Sequence, residues 1–254
     1  LPRGALLVEE IVGRPARLPE DLMAIADALA AIHSLPLPDE GSRSPLLDPP
    51  DPLARLRDEI QAQAVHFAAA GLDAASLRTI DAQRTALAAL CAPAERPPKR
   101  LIAFDAHPGN FLLREDGRAV LVDLEKARYS LPPLDLAHAT LYTSTTWDIA
   151  ASAVLTPAQV QGFQARWLQR CAGSEAWRSW LLPLRSAMWL WSVSWCAKWR
   201  VLAARAAKQG GDGEDWAADR SEAALVAHVR DRVDDYLSAD GVQRVVDELA
   251  ALAA

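Results

Sequence analysis

Three polar side chains, Asp105, Asn110 and Asp123, have types and spacing that could serve phosphoryl transfer. Asp105 and Asn110 lie five residues apart across a loop that contains His, Pro and Gly, and Asp123 follows a predicted β-hairpin. A carboxylate that accepts a hydroxyl proton, with an amide and a carboxylate that bind Mg²⁺, is the set of groups that kinase-type transfer requires. We therefore predict that Asp105 is a catalytic base and that Asn110 and Asp123 are metal ligands.

The hairpin is predicted from two apolar runs, residues 111–115 and 118–122, that flank Asp116-Gly117. If the turn has two residues, Leu113 faces Val120 and, further along the ladder, Asn110 faces Asp123. Directly opposed Cβ atoms lie roughly 4.5–5.5 Å apart, which is close enough for two oxygen ligands to hold one hard cation. This register is the physical basis of the predicted metal site.

Helical patterns surround this region on both sides, so the predicted fold class is α+β and mostly helical, with a short β-hairpin at the catalytic site. Asp51-Pro52 is typical of an N-cap followed by a first-turn proline, and that helix is expected to continue to Gly71. The other predicted elements are a strand at 6–8, a helix at 22–32, a helix at 74–91, a strand at 101–104, helix starts at Thr156-Pro157 and Ser174, and helix over most of 221–254.

Composition excludes several classes of protein. The 254 residues are 51% hydrophobic and 24% charged, which favours a soluble globular chain over a disordered one. A net charge of −6 argues against a nucleic-acid partner. The sequence also lacks the run of roughly 20 uncharged residues that would predict a membrane span. Three cysteines without a Cys-x-x-Cys pair favour a reducing, cytoplasmic location. The scarcity of lysine, 4 residues, is typical of a GC-rich bacterial genome.

Four segments resemble one family, the aminoglycoside phosphotransferase and choline kinase-like family. Residues 105–110 (DAHPGN) resemble its catalytic loop and residues 122–125 (VDLE) its metal segment. Residues 6–13 are similar to its interlobe hinge, and residues 135–137 (DLA) resemble its downstream structural aspartate. The resemblance implies a protein kinase-like fold: 1–13 would end a small lobe and form the hinge strand, and 14–254 would form the helical C-terminal lobe, with a catalytic loop at 103–113 and a metal segment at 119–125.

The resemblance also implies cofactors, partners and roles. The cofactors would be ATP and Mg²⁺, and the partners a nucleotide and a small-molecule substrate, aminoglycoside-, choline- or sugar-like, whose hydroxyl accepts the γ-phosphoryl group. The backbone of Glu9 and Ile11 and the side chains of Leu112 and Val122 would hold the adenine. Asp105 would be the base, with Asn110 and Asp123 as magnesium ligands.

Three further residues near this site have other expected roles. Glu125 could contact a second metal, a substrate cation or a structural partner, and the sequence leaves these open. His107 is expected to form hydrogen bonds within the loop. Asp135 is expected to support the catalytic loop by accepting hydrogen bonds.

Two departures from the family pattern favour an alternative function, a catalytically inactive kinase-like binding or regulatory module. Ala103 stands where the family usually has a histidine, two residues before the catalytic aspartate. No lysine or Gly-rich loop precedes the hinge, so the family's small lobe is missing from the sequence, and we expect the natural protein to extend upstream of residue 1 by about the length of that lobe.

Tryptophans and acidic residues in the C-terminal half have two readings each. Trp191, Trp195 and Trp199 recur every four residues, which favours a packed helix face over an aromatic cage for a cation. Glu214, Asp215 and Asp219 could attract a cationic substrate, but an ordinary solvated face is the favoured interpretation.

Overall fold

The computed structural model describes residues 10–148, 152–209 and 223–253, which form a mostly helical fold with two small antiparallel sheets. Its α-helices are α1 (Leu22–His33), α2 (Pro52–Ala64), α3 (Ala74–Cys91), α4 (Pro133–Thr140), α5 (Tyr142–Thr145), α6 (Pro157–Arg170), α7 (Leu181–Gln209), α8 (Ala223–Tyr236) and α9 (Ala239–Ala253). Its strands are β1 (Arg14–Pro15), β2 (Arg100–Ile102), β3 (Phe111–Leu113), β4 (Ala119–Leu121) and β5 (Arg128–Ser130). The predicted fold class is confirmed.

Local capping explains where the helices begin. The Asp51 carboxylate accepts hydrogen bonds from the amides of Leu53 and Ala54, and α2 starts at Pro52 as predicted. Asp73 caps α3, which has the predicted limits. Thr156 and Gln159 form a reciprocal capping box at the start of α6. These side chains satisfy backbone N–H groups that have no partner inside the helix.

Two helix predictions are wrong in their limits. Helix α2 ends at Ala64 rather than at Gly71, because the chain tightens into a 3₁₀ turn at Phe67–Ala69 before Gly71 adopts a left-handed φ of 77°. The start predicted at Ser174 begins a 3₁₀ helix, Ser174–Trp180, and α7 follows from Leu181. In both regions the apolar residues keep a helical spacing while the backbone changes between α-helix and 3₁₀-helix. The spacing therefore does not show where the α-helix begins or ends.

The two sheets lie beside the predicted catalytic loop. One has the strand order β1-β3-β4, and the other pairs β2 with β5. The strand predicted at 101–104 is shorter, and its partner β5 was not predicted. The strand predicted at residues 6–8 lies outside the described residues.

Helix α7 is the centre of the larger hydrophobic cluster, and α2, α3 and α4 pack around it. Trp189, Leu190 and Val193 on this helix are fully buried. A smaller cluster joins α1 and α6 to the sheet of β3 and β4. Within the described part of the chain, no helix is long and apolar enough to cross a membrane.

Arg185 on α7 is a buried cation that joins three helices. Its guanidinium donates to Glu248 on α9 at 2.7 Å, to the Thr140 hydroxyl on α4 at 2.6 Å and to the Thr140 carbonyl at 3.0 Å. Burial lowers the pKa of Arg185, and the facing Glu248 carboxylate opposes that shift. Because Thr140 is buried with it and the Glu248 side chain is only 12% exposed, Arg185 fixes the end of α4 against α7 and α9.

We predict that Arg185→Ala lowers the free energy of unfolding by about 3–5 kcal/mol, because Glu248 and Thr140 lose a buried partner. Denaturant titration followed by circular dichroism measures this. The control is Arg178→Ala, which removes an exposed ion pair with Glu175 and should change stability by less than about 1 kcal/mol. Equal effects in the two variants would contradict the role given to Arg185.

Candidate active site

The loop that carries Asp105 is held by a buried carboxylate, Asp135 on α4. Its two oxygens accept hydrogen bonds from the backbone N–H groups of Ala103 and Phe104, each at 2.8 Å. His33 on α1 contacts the same carboxylate through Nε2 at 3.1 Å. These three contacts fix the start of the loop to two helices, α1 and α4.

The His33 contact has a defined direction. Trp167 Nε1–H donates to His33 Nδ1 at 3.0 Å, so Nδ1 is an acceptor and the proton lies on Nε2. Nε2–H therefore donates to Asp135. Position 103, where the family pattern has a histidine, is an alanine. The imidazole that contacts the Asp135 carboxylate is that of His33 on α1.

Phe104, the residue before Asp105, has a left-handed backbone with φ of 61°. This conformation is unfavourable for an aromatic residue and persists only where the surroundings enforce it. Besides the bond to Asp135, the Phe104 ring lies under the Arg128 guanidinium, 3.7 Å from the ring centroid, and packs edge-to-face on Trp191. The turn at Phe104 places the next residue, Asp105, in the lining of a cavity.

Asp105 lies at the end of this turn with a side chain that is 14% exposed. Its Oδ2 accepts from Lys126 Nζ at 2.6 Å, and its Oδ1 lies 3.8 Å from His138 Nδ1. Burial alone would raise the pKa of the Asp105 carboxyl, but His138 and Lys126 together hold it below its usual value. Because burial lowers the pKa of His138 to about 4, Lys126 is the cation that faces Asp105 at neutral pH.

The hairpin register that we predicted for the metal ligands is wrong by one residue. Phe111 pairs with Leu121 and Leu112 with Val120, and the Val122 amide donates to the Asn110 carbonyl at 2.8 Å. Asn110 is therefore opposite Val122, not Asp123.

A three-residue turn is the physical reason for the register error. Residues 115–117 separate Arg114 from Arg118, whose amide and carbonyl groups form the last hydrogen bond of the ladder. Gly117 takes the left-handed conformation, with φ of 79°, that this turn requires. The shift moves every pairing by one residue.

Asn110 and Asp123 nevertheless lie at the same end of the hairpin. Asn110 Nδ2 donates to the Asp105 carbonyl at 2.9 Å, which leaves the carboxamide oxygen as the atom that could bind a cation. Asp123, two residues after the end of β4, has a left-handed φ of 58°, and its side chain is exposed. One amide oxygen and one carboxylate are hard ligands that suit Mg²⁺ when phosphates complete its coordination.

The other predicted site residues lie around this end of the hairpin. Leu112 and Val122 are half-buried on one face of the sheet, while Phe111, Leu113 and Leu121 face the core. Val120 shares the outer face and was not predicted. Ile11 is half-buried in the chain before β1, and Glu9 lies outside the described residues.

His107 and Glu125 line the same cavity as Asp105. The pKa of His107 is lowered by burial, and its Nδ1 has no hydrogen-bond partner among the described residues, so the predicted hydrogen bonds of its ring are absent at that atom. The His107 and His138 ring centroids are 6.1 Å apart. Glu125 is exposed beside Lys126.

A cavity of about 530 Å³ opens beside Asp105 and extends between α5, α7 and α8. Trp191 and Trp195 line this cavity, whereas Trp199 is buried in the core. The predicted packed helix face is therefore found at Trp199, while Trp191 and Trp195 also contribute to the cavity wall. Glu214, Asp215 and Asp219 lie outside the described residues. The described residues that line the cavity are Asp105, His107, Glu125, Lys126, His138, Thr143, Ser144, Trp147, Trp191, Ser192, Trp195, Cys196, His228, Val229 and Tyr236.

Sequence reasoning missed His33, Lys126 and His138. His33 continues the apolar face of α1 from Leu22 and Leu29, which is an unusual place for a polar residue. His138 follows Asp135 by one helical turn and therefore shares its face. Lys126 follows the metal segment directly, which is the signal that could have drawn attention to it.

We predict that Asp135→Asn loosens the loop, because an amide nitrogen cannot accept a backbone N–H bond. An unsatisfied buried donor costs about 1–3 kcal/mol, so the amides of Ala103 and Phe104 should exchange with deuterium about tenfold faster or more. The matched control is Asp116→Asn, which alters an exposed carboxylate that also accepts a backbone N–H bond, from Arg118 at 3.0 Å. Unchanged exchange in Asp135→Asn would refute the supporting role.

Two comparisons with solved structures give the fold. The chain matches the Plasmodium vivax ethanolamine kinase with a TM-score of 0.53 and 13% identity, over 89% of this chain and 62% of that one. It matches a spectinomycin phosphotransferase, solved with ADP and spectinomycin, with a TM-score of 0.55 and 11% identity, over 96% of this chain and 70% of that one. The chain thus spans less than two thirds of the ethanolamine kinase.

The sequence comparisons give the family. Among proteins of curated function, none matches this chain. A sequence model of the phosphotransferase enzyme family matches residues 4–181, a range that contains Asp105, Asn110, Asp123 and Asp135. This range is more than half of the chain, and the chain belongs to the phosphotransferase enzyme family.

Proposed function

We propose that this chain is the catalytic lobe of a phosphotransferase that moves the γ-phosphoryl group of ATP, with Mg²⁺, to a hydroxyl of a small molecule. The observation that carries the proposal is the Asp105 carboxylate, which is fixed by the Asp135-held turn on the wall of a cavity large enough for an acceptor. ATP as co-substrate and three free, buried cysteines favour a cytoplasmic location.

Asp105 would act as the base. Its pKa lies below the usual value for an aspartic acid, so it is ionised at neutral pH and able to accept a proton. In the reaction, the acceptor oxygen bonds to the γ-phosphorus, and the bond from that phosphorus to the β,γ-bridging oxygen breaks. The hydroxyl proton goes to Asp105, and ADP leaves with the bridging oxygen.

Asn110 and Asp123 would hold the magnesium ion. Their oxygens fit its preference for hard ligands, and both residues adjoin the loop that carries Asp105. When bound, Mg²⁺ would neutralise charge on the transferring phosphates. Glu125, exposed beside them, is available to a second cation.

The outer face of the hairpin would hold the base of the nucleotide. Leu112, Val120 and Val122 present half-buried apolar side chains on one face, which suits a flat ring. Ile11 lies in the segment just before β1, and Glu9 remains a prediction from the resemblance.

The alternative, a kinase-like module without activity, is based on Ala103 and on the small lobe expected upstream of residue 1, and the structure bears on Ala103. The Ala103 amide bonds to Asp135 and His33 supplies an imidazole to the same carboxylate, so the loop keeps its support without a histidine at position 103. Nucleotide binding without any phosphorylated product, across a broad panel of alcohols, would favour the alternative.

We predict that Asp105→Asn lowers kcat by about 10²–10⁴-fold, because an amide cannot accept the hydroxyl proton. Nucleotide affinity should stay within about threefold, since the base does not contact the adenine face. The assay measures acceptor-dependent ADP release by the entire natural polypeptide that contains these residues. The control variant is Asp116→Asn. A kcat near that of wild type in Asp105→Asn would show that another group takes the proton.

A second prediction concerns Lys126, which lies 2.6 Å from Asp105. Asp105 is a carboxyl group with a lowered pKa, so it is active as a base above that pKa, and activity falls as the pH falls through it. Lys126→Met should raise the pKa of Asp105, because burial remains and the cation is lost. The acid limb of kcat/KM should therefore move to higher pH by about one unit or more.

The control for this experiment is Lys126→Arg, which keeps the charge and should leave the acid limb within about 0.3 units. A merely structural role would lower activity at every pH alike. A lower kcat/KM with an unshifted acid limb in Lys126→Met would therefore contradict the electrostatic role.

A further inference from the structure

The catalytic loop and the metal segment carry three carboxylates, those of Asp105, Asp123 and Glu125. Asp105 and Glu125 line the cavity, and Asp123 precedes Glu125 by two residues. A nucleoside triphosphate is itself an anion, so its terminal phosphates would be repelled by these groups. Binding of the triphosphate at this loop therefore requires cations that offset the repulsion.

Lys126 supplies one such cation. Within the described lining of the cavity it is the one lysine or arginine, and His138 is neutral at pH 7 because burial lowers its pKa to about 4. Magnesium at Asn110 and Asp123 would neutralise part of the phosphate charge. Lys126 is therefore the described side chain of this lining that could neutralise the remainder.

In this structure the Lys126 ammonium group is paired with the base instead. Its Nζ lies 2.6 Å from Asp105 Oδ2, and the Lys126 side chain is 42% exposed. The other Asp105 oxygen, Oδ1, lies 3.8 Å from His138 Nδ1, beyond hydrogen-bond distance. Because solvent reaches and screens the Lys126–Asp105 pair, the ammonium group can leave Asp105 for a more strongly charged partner.

The backbone of Lys126 is anchored while its side chain is free to turn. Ala127 N–H donates to the Leu124 carbonyl at 3.0 Å, which closes a tight turn, and Arg128 Nε–H donates to the Lys126 carbonyl at 3.2 Å. The Arg128 guanidinium also lies over the Phe104 ring. One residue thus holds both the strained turn before the base and the backbone from which the Lys126 side chain extends. The flexible four-carbon stem of a lysine lets Nζ move while that backbone stays in place.

A short movement of Nζ separates the base from the transferring phosphoryl group. In the proposed reaction the acceptor oxygen lies within hydrogen-bond distance of Asp105 and about 3–3.5 Å from the γ-phosphorus, so that phosphorus is within roughly 7 Å of the carboxylate. Nζ starts 2.6 Å from the same carboxylate, and rotation of the Lys126 side chain can carry it to the phosphoryl oxygens. A terminal phosphate with about two negative charges attracts an ammonium group more strongly than one carboxylate does.

From this geometry we propose that Lys126 is a catalytic residue that leaves Asp105 and binds the γ-phosphoryl group when a nucleoside triphosphate occupies the site. Before the triphosphate binds, the ion pair keeps the base occupied. Once the phosphate has drawn the ammonium group away, Asp105 is free to accept the hydroxyl proton. Lys126 neither gains nor loses a proton in this movement. The inference rests on the proposed function and adds a residue to the same site.

The affinities of ADP and AMP-PNP, measured in parallel, isolate the contact with the third phosphate. Both nucleotides are titrated calorimetrically, at the same Mg²⁺ concentration, into the entire natural polypeptide and its variants. They share the base, the ribose and two phosphates, so the ratio of their dissociation constants is insensitive to a general loss of structure. This ratio is the preference of the protein for AMP-PNP over ADP.

We expect Lys126→Met to lower the preference for AMP-PNP by about tenfold, because a hydrogen bond to a charged group is worth about that factor. Lys126→Arg keeps the charge and should retain most of the preference. The control is Arg118→Met, which removes an exposed cation of the same hairpin, paired with Asp116 at 2.8 Å, and should leave the preference unchanged.

The movement itself is observed on the unmodified sequence. Lysine labelled with ¹³C at Cε reports by NMR on the surroundings of each ammonium group, and the Lys126→Arg variant assigns the Lys126 resonance by its loss. Saturating AMP-PNP should shift this resonance, because Nζ exchanges Asp105 for a phosphate. Saturating ADP should shift it much less.

Two results would overturn the inference: an unchanged preference for AMP-PNP in Lys126→Met, or a Lys126 resonance that AMP-PNP moves no more than ADP does. The second is read on the wild type, so it does not depend on a variant folding. If ³¹P NMR with ATP, Mg²⁺ and a panel of alcohols still detects a phosphoester in that case, the proposed function stands and Lys126 is a partner of Asp105 alone. A wild type that binds neither nucleotide would overturn the proposed function, and this inference with it.

Discussion

The site depends on one buried carboxylate, that of Asp135, which accepts hydrogen bonds from two backbone N–H groups. Phe104 has a left-handed backbone that an aromatic side chain rarely adopts, and its amide bonds to Asp135 at 2.8 Å. A strained conformation of this kind costs on the order of 1–3 kcal/mol, so the surrounding contacts must enforce it. The direction of Asp105, one residue later, follows from that turn.

Asp135 is itself held by contacts that extend through the helical core. It lies on α4, whose last residue, Thr140, accepts two hydrogen bonds from the buried Arg185 on α7. Arg185 also binds Glu248 on α9. On the other side, His33 on α1 connects Asp135 to the Trp167 indole on α6. Five helices thus fix one loop, which explains why a site of few residues occurs in a large helical lobe.

Charge is distributed around this loop in a way that suits phosphoryl transfer. A carboxylate with a lowered pKa needs a nearby cation or hydrogen-bond donors to outweigh its burial, and Lys126 supplies that cation at neutral pH. Charged groups at the loop end of the cavity can act on phosphates and on the reacting hydroxyl. The other end of the cavity is lined by aromatic rings, among them Trp147, Trp195 and Tyr236.

Sequence reasoning predicted what depends on local chemistry. Asp51 and Thr156 start helices because their side chains bond to nearby backbone amides, and these two starts were identified from residue types alone. Asp73 caps α3 in the same way, but that helix was predicted from its apolar spacing. The hairpin was identified from Asp116-Gly117, but its register was not, because a two-residue and a three-residue turn fit the same dipeptide.

Contacts between distant segments could not be predicted from local sequence patterns. His33 and Asp135 are 102 positions apart, and Lys126 and Asp105 are 21 apart, so neither pair has a characteristic spacing. Trp191 and Trp195 have the spacing of a packed helix face, and only the placement of Trp147 and Tyr236 beside them creates a cavity.

We propose that the loop fixed by Asp135 brings the base and the magnesium ligands to one phosphoryl site. The most direct test is calorimetric titration of AMP-PNP, with and without Mg²⁺, into the entire natural polypeptide and its Asp123→Ala variant, with Asp116→Ala as control. We predict that Mg²⁺ raises nucleotide affinity in the wild type and in Asp116→Ala, and that Asp123→Ala loses this increase while retaining its metal-free affinity. An equal increase with Mg²⁺ in Asp123→Ala would contradict a magnesium site at Asn110 and Asp123.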